Sequence, residues 1–132
     1  MNNNELIEYA KQAQQQAYVP YSRFPVGAAL LTDDHQVITG CNIENSSYGL
    51  TNCAERTAIF KAISEGKKQF DKLAIIANTD RPISPCGACR QVIAEHCPSD
   101  MKVILANEQG KYIETTVAEL LPYAFSAEDL NE

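Results

Sequence analysis

Two cysteines three positions apart, Cys86 and Cys89 in SPCGAC (84–89), carry the strongest chemical signal in the chain. A Cys-x-x-Cys pair serves as a redox dithiol, as half of a closed zinc site, or as two ligands of a catalytic metal. The residues that follow predict a helix from near Cys86 to near His96, ahead of Pro98. Residues three apart share a helix face, so both sulfurs point the same way. The free N–H groups and positive dipole end at a helix start favour thiolate over thiol.

The remaining partners discriminate among these uses. A thioredoxin-like dithiol follows a strand early in its unit, whereas this pair lies two-thirds along the chain behind Pro85, which fits redox chemistry less well. A closed structural zinc needs four protein ligands. There is no second Cys-x-x-Cys, and the two histidines are poorly placed. His35 falls in a predicted hairpin turn, and His96 sits about 15 Å along the helix from Cys86. Cys53, which opens another predicted helix in TNCAER (51–56), is the better third ligand. Three thiolates leave one tetrahedral position open, the catalytic arrangement of zinc. Cys41 is an alternative fourth ligand, but its apolar-flanked strand reads more naturally as core. Cys97, beside Pro98, reads as structural.

Glu55, two residues after Cys53, sharpens the catalytic reading. Alone, a first-turn glutamate is usually a surface residue that suits the helix dipole. Beside an open metal it is a candidate general acid and base, because zinc brings the pKa of water down to about 7. Three thiolates would weaken the metal as a Lewis acid unless positive groups offset their charge. Arg56 and Arg90, each next to a ligand-bearing turn, are placed to do so.

The elements that must position these residues follow from periodicity and turn chemistry. Helices are predicted over 4–17 (capped by Asn4), about 53–65 (capped by Asn52 and stopped at Gly66), from near Cys86 to near His96, and over 117–121. Strands are predicted over 26–32, 36–42, 72–78, 102–106 and 111–115, the first two forming a hairpin through Asp33-Asp34-His35. The polar segment 43–52 has no periodicity and reads as a function-bearing loop. The tail after Pro122 reads as irregular. Strand-helix-strand steps and hairpins together predict an α/β fold, with helices packed on a mixed five-stranded sheet and residues 1–132 forming one domain.

Composition narrows the partners. The chain has 132 residues, 45% hydrophobic and 21% charged, with a net charge of −6 and pI about 4.9. Phosphate-backbone binding needs clustered Lys and Arg, so a nucleic-acid polymer is not the expected partner. A small neutral or weakly charged ligand is. The N-terminus has no secretory pattern and no apolar run spans a membrane, so a cytoplasmic location is expected. Five cysteines are an odd count for a disulfide framework.

Cys53-Ala54-Glu55 followed by Pro85-Cys86-x-x-Cys89 is the signature of the zinc nucleoside and nucleobase deaminases. YSRFPVGAAL (21–30), GCNIENSSYGLTNCAERTAIF (40–60) and SPCGACRQV (84–92) narrow the resemblance to small homotetrameric cytidine deaminases. The resemblance covers nearly the whole chain, to LLPYAF, and Cys53 matches the three-cysteine form rather than the form with a histidine ligand. It implies a three-layer cytidine-deaminase-like fold and one zinc per subunit on Cys53, Cys86 and Cys89. It implies Glu55 as proton shuttle and Arg56 as a hydrogen-bond donor to the ligand thiolates. Phe24 would pack on the pyrimidine or sugar, Asn42 and Glu44 would bind the ribose, and the Ala54 backbone would meet the base carbonyl. Tyr48 and Phe125 would come from neighbouring subunits. Ser46 stands where the family often has Ala, and the contact implied there is through backbone.

The implied reaction is zinc-dependent hydrolysis of cytidine or deoxycytidine to uridine or deoxyuridine plus ammonia, a step of pyrimidine salvage. Three other readings share the motif: a blasticidin S deaminase, a nucleic-acid-editing deaminase, and a closed structural zinc module using Cys41. FPVGAAL and NIE oppose the first, the acidic charge opposes the second, and the missing fourth ligand opposes the third.

Overall fold

The computed structural model describes residues 1–82 and 84–130, the side chain of Glu128 excepted. Five strands form one sheet: β1 (Val26–Thr32), β2 (Val37–Cys41), β3 (Phe70–Ala77), β4 (Lys102–Asn107) and β5 (Tyr112–Thr116), in the order β2-β1-β3-β4-β5. The β3–β4 pair is parallel and the other three pairs are antiparallel, so the predicted mixed five-stranded sheet is the one observed.

Both faces of the sheet are covered, which explains the nearly continuous apolar runs in β1, β3 and β4. Helix α1 (Asn3–Gln14) packs Leu6 and Ala10 on Ala29, Leu31, Ala74, Ile76, Ile104 and Ala106. The opposite face carries Leu30, Leu73, Ile75, Val103 and Leu105 against α2 (Ala54–Ser64) and α3 (Gly87–His96). These are three layers, helix on sheet on helix.

Strand direction brings the two cysteine-bearing helices together. β2 and β3 are each antiparallel to β1, hence parallel to one another. Helix α2 is entered from the end of β2 and α3 from the end of β3. Both helices therefore begin over the carboxyl ends of β2, β3 and β4, the kind of edge where open α/β sheets place their ligand crevice. Ile59 of α2 and Ile93 of α3 are fully buried and fix the helices there, each worth roughly 1.5–3 kcal/mol.

Several boundaries differ from the sequence expectation. The cap of α1 is Asn2, not Asn4: its side chain accepts from Glu5 N while Glu5 reaches back to the Asn2 N–H. That reciprocal capping box satisfies two free donors and outcompetes the next asparagines. The helix ends at Gln14, short of the predicted Ala17. The cap of α2 is Cys53 rather than Asn52, whose amide instead donates to Thr57 Oγ1 at 3.2 Å. Segment 43–52 contains a 3-10 turn, Tyr48–Leu50, and Ile43 bridges to both Tyr18 and Asn52. After α4 (Val117–Leu120), the tail expected to be irregular holds a short helix α5 (Ala127–Leu130).

Candidate active site and metal centre

Cys53 and Cys86 occupy the N-cap positions of α2 and α3, where Ser, Thr, Asp or Asn usually accept a backbone hydrogen bond. Neither cysteine makes such a bond. Forgoing a cap costs about 0.5–2 kcal/mol, less than the packing of Ile59 and Ile93 supplies. The local rule is broken where the sulfurs are needed elsewhere.

The sulfurs of Cys53, Cys86 and Cys89 lie within 4.8 Å of one another, the one such cluster among the described residues. Cys53 Sγ is 3.9 Å from Cys86 Sγ, which is 3.3 Å from Cys89 Sγ. Cys89 is buried, Cys53 half-buried and Cys86 exposed. The half-buried Cys41 lies outside the cluster, as does the buried Cys97, whose thiol burial pushes up to about 12.

The surroundings of the triad favour the thiolate form of Cys53. The neighbouring Cys89 thiol and then the Arg56 guanidinium bring its pKa to about 5, against the opposing effect of burial. Cys89, next to that sulfur and buried, is driven the other way. Arg56 Nη2 donates to Cys53 Sγ at 3.2 Å, and the thiolate raises the guanidinium's own pKa. Arg90 behaves otherwise: its hydrogen bonds go to the carbonyls of Pro85 and Leu120, not to sulfur. The expectation that both arginines act on the thiolates thus becomes, in the structure, a direct contact for Arg56 alone.

These donors fit zinc. Three convergent soft sulfurs, one drawn toward thiolate by its surroundings and partly neutralised by a guanidinium, would supply three of the four ligands that zinc takes, leaving one side open. That open side faces a cavity of about 450 Å³ lined by Cys53 and Cys86. Glu55 lines it too, only 4% exposed, and burial raises its carboxyl pKa to about 6. A buried carboxylate with a pKa near neutrality, beside an open metal position, can take up and release a proton within one turnover.

Away from the thiolates, Phe24, Val26, Ile75 and Ala77 form an apolar wall, and Ser22, Asn42 and Glu44 a polar end. No Lys or Arg lines the cavity among the described residues. Asn42 and Glu44 point inward, while Ile43 between them is 46% exposed, as strand alternation dictates. Asn42 Nδ2 donates to Phe24 O at 2.8 Å, and its Oδ1 accepts from Val26 N at 2.9 Å. Glu44 Oε1 accepts from the backbone N–H groups of Tyr21 at 3.0 Å and Ser22 at 3.1 Å. The Ser22 hydroxyl above all, and then these backbone bonds, hold the Glu44 carboxyl below the usual range. Ala54 also lines the cavity.

Tyr48 and Phe125 are not brought to this cavity within one chain. Tyr48 is 79% exposed and meets Tyr21 edge-on, with ring centroids 6.5 Å apart. Phe125 is 58% exposed, and its carbonyl accepts from Gln91 Nε2 at 2.9 Å. Sequence reasoning missed Ser22 and Gln14. The Gln14 Nε2 group donates to Pro25 O at 3.0 Å and so steadies the strip that carries Phe24. The only local signal was a polar residue on the buried face of α1.

A three-layer α/β fold that sets a three-thiolate metal site and a buried carboxylate on a small apolar cavity defines a metal-dependent hydrolytic deaminase. Residues 1–106 match the family model described as the cytidine and deoxycytidylate deaminase zinc-binding region, and the chain belongs to that family. It is 63% identical over 132 residues to the cytidine deaminase of Halalkalibacterium halodurans, covering all of both chains. It is 61% identical over 131 residues to that of Sporosarcina psychrophila, covering 99% of this chain and 96% of the relative. The crystal structure of cytidine deaminase from Burkholderia pseudomallei superposes with a TM-score of 0.93 at 51% identity, covering 95% of this chain and 100% of that one.

Proposed function

We propose that this protein is a zinc-dependent cytidine deaminase that hydrolyses cytidine and deoxycytidine to uridine and deoxyuridine with release of ammonia. The observation that carries this reading is the convergence of Cys53, Cys86, Cys89 and the buried Glu55 on one cavity. Relatives that match 99–100% of the chain, themselves cytidine deaminases, support the substrate.

Cys53, Cys86 and Cys89 would hold the zinc, which when bound supplies the acidification of water that yields a nucleophile near neutral pH. Glu55 accepts the proton of the attacking water and passes it to N3 of the pyrimidine. It then takes the water's second proton, now on the C4 hydroxyl, and delivers it to the departing amino group, so that the C4–N bond breaks, ammonia leaves and a C4 carbonyl remains. Arg56 lowers the charge that the thiolates present, keeping the site electrophilic. The Ala54 backbone meets the base carbonyl and Phe24 packs on the ring. Asn42 and Glu44, already braced by backbone bonds, retain acceptor and donor capacity for the ribose hydroxyls.

The absence of lining cations among the described residues supports a nucleoside over a nucleotide, and Glu44 would repel a phosphate. The whole of 1–132 acts as one catalytic domain in the cytoplasm, in pyrimidine salvage. The exposed Tyr48, Leu50 and Phe125 support a homotetramer in which aromatic rings close a neighbour's cavity. No described helix is long and apolar enough to cross a membrane.

Turnover of cytidine, deoxycytidine and cytidine 5′-monophosphate decides the substrate. The first two should give the uracil product and ammonia, and the third almost none. Equal kcat/KM for the monophosphate would defeat the nucleoside reading. Subunit sharing is tested by mixing Glu55→Gln and Phe125→Ala proteins after dissociation. Recovered activity supports it, and strict additivity of the two residual rates opposes it.

A further inference from the structure

Arg90 holds two backbone carbonyls from separate parts of the fold. Its Nε donates to Pro85 O at 2.9 Å, and its Nη1 to Leu120 O at 2.6 Å. Pro85 immediately precedes Cys86, is buried, and lines the cavity. The Arg90 backbone N–H also donates to Cys86 O at 2.9 Å, so Arg90 grips this loop twice. Leu120 is the last residue of α4, where carbonyls lack helical partners and attract a cation. The next residue of α3, Gln91, holds Phe125 O. One turn of α3, the turn that carries Cys89, therefore fastens the Cys86 loop on one side and the 120–125 segment on the other.

We propose that Arg90 is a positioning residue that ties the metal-binding loop to the C-terminal segment, so that retention of the metal and seating of Phe125 are linked. This rests on the reading of Cys53, Cys86 and Cys89 as zinc ligands. Cys86 is the exposed member of the triad and has no capping bond to hold it. The orientation of its loop depends on the Pro85 carbonyl, and that carbonyl is fixed by the same guanidinium that fixes the end of α4. Charged donors make the stronger hydrogen bonds to carbonyls. A planar guanidinium can bridge two acceptors, whereas a lysine ammonium carries the same charge as a point on a flexible stem. Linkage makes the effect reciprocal: whatever loosens the 120–125 segment through Arg90 loosens the metal loop as well.

The test compares zinc-loaded wild type, Arg90→Met and Arg90→Lys. Two quantities are read: the rate of zinc transfer to a chromogenic chelator, and backbone amide exchange across residues 121–126. Both variants should release zinc roughly tenfold faster or more, the scale seen when a residue supporting a metal ligand is removed. Both should also exchange faster at 121–126, with lysine restoring neither. Unchanged release in both variants would overturn the proposal. So would rescue by lysine, which would reduce the role to charge, and so would faster release without faster exchange at 121–126. If Arg90→Met does not fold, Arg90→Lys carries the same two readouts. A wild-type protein that binds no zinc would sink the metal reading itself, and the proposal with it.

Discussion

Gly40 of β2 and Ala54 of α2 approach so closely that a methyl group at position 40 would lie 2.6 Å from the Ala54 carbonyl oxygen. It would also lie 2.5 Å from Ala58 N, and both neighbours are backbone atoms of a packed helix. The glycine thus sets the height of α2 over the sheet, and with it the height of Cys53 and Glu55. Gly40→Ala is expected to cost about 1–3 kcal/mol through overpacking, and to lower zinc content by displacing Cys53. Urea unfolding and metal analysis check both. Wild-type stability in the variant would mean that α2 shifts freely and that the glycine does not set its position.

Removal of the proton shuttle should separate chemistry from metal binding. Glu55→Gln keeps shape and burial, so zinc should remain stoichiometric while kcat falls by roughly 10²–10⁴-fold. Metal analysis alongside steady-state rates reads both quantities. A variant that turns over cytidine at the wild-type rate would remove Glu55 from the reaction.

Asn42 braces the strip that carries Phe24, through bonds to Phe24 O and Val26 N. Asn42→Ala leaves both backbone groups without partners, at an expected cost of about 1–3 kcal/mol. It should raise KM more than it lowers kcat, because the zinc ligands lie on other elements. A loss confined to kcat would argue against a place for Asn42 in binding.

The Glu44 carboxyl has a folded pKa below its unfolded value, because the Ser22 hydroxyl and the Tyr21 and Ser22 N–H groups bond to its ionised form. A depressed carboxyl pKa contributes stability that is fully present above the unfolded value and is lost as pH falls through the folded value. The stability difference between wild type and Glu44→Gln should therefore hold constant from neutral pH down to the ordinary glutamate pKa of 4.5, and shrink only below it. Chemical denaturation at a series of pH values measures this. A difference that already shrinks between pH 7 and 5 would contradict the assignment of the bonds to the carboxylate.

The metal centre was legible because its signals are local. Cys86 and Cys89 are three positions apart, and Cys53 and Glu55 two. Their meeting required only that both helices start at one sheet edge, which the strand-helix-strand order implies. The role of Gly40 was not legible, because it arises from contact with a helix across a loop, and glycine in a strand has many causes. The α1 cap was readable in principle: Asn2-x-x-Glu5 is a capping box that Asn4 cannot form. The partners of Arg90 were hidden for a different reason. An arginine beside a thiolate turn suggests charge compensation, whereas in the fold its donors turn toward the carbonyls of Pro85 and Leu120, the latter 30 residues away.

Zinc-dependent hydrolysis is tested most directly by following cytidine loss and ammonia release on one sample: as zinc-loaded protein, after zinc is stripped by a chelator, and after zinc is restored. The three-thiolate site with Glu55 predicts uridine and ammonia in equal amounts from the loaded protein, loss of both on stripping, and recovery on restoration. A protein that holds stoichiometric zinc on Cys53, Cys86 and Cys89 yet leaves cytidine intact would contradict it.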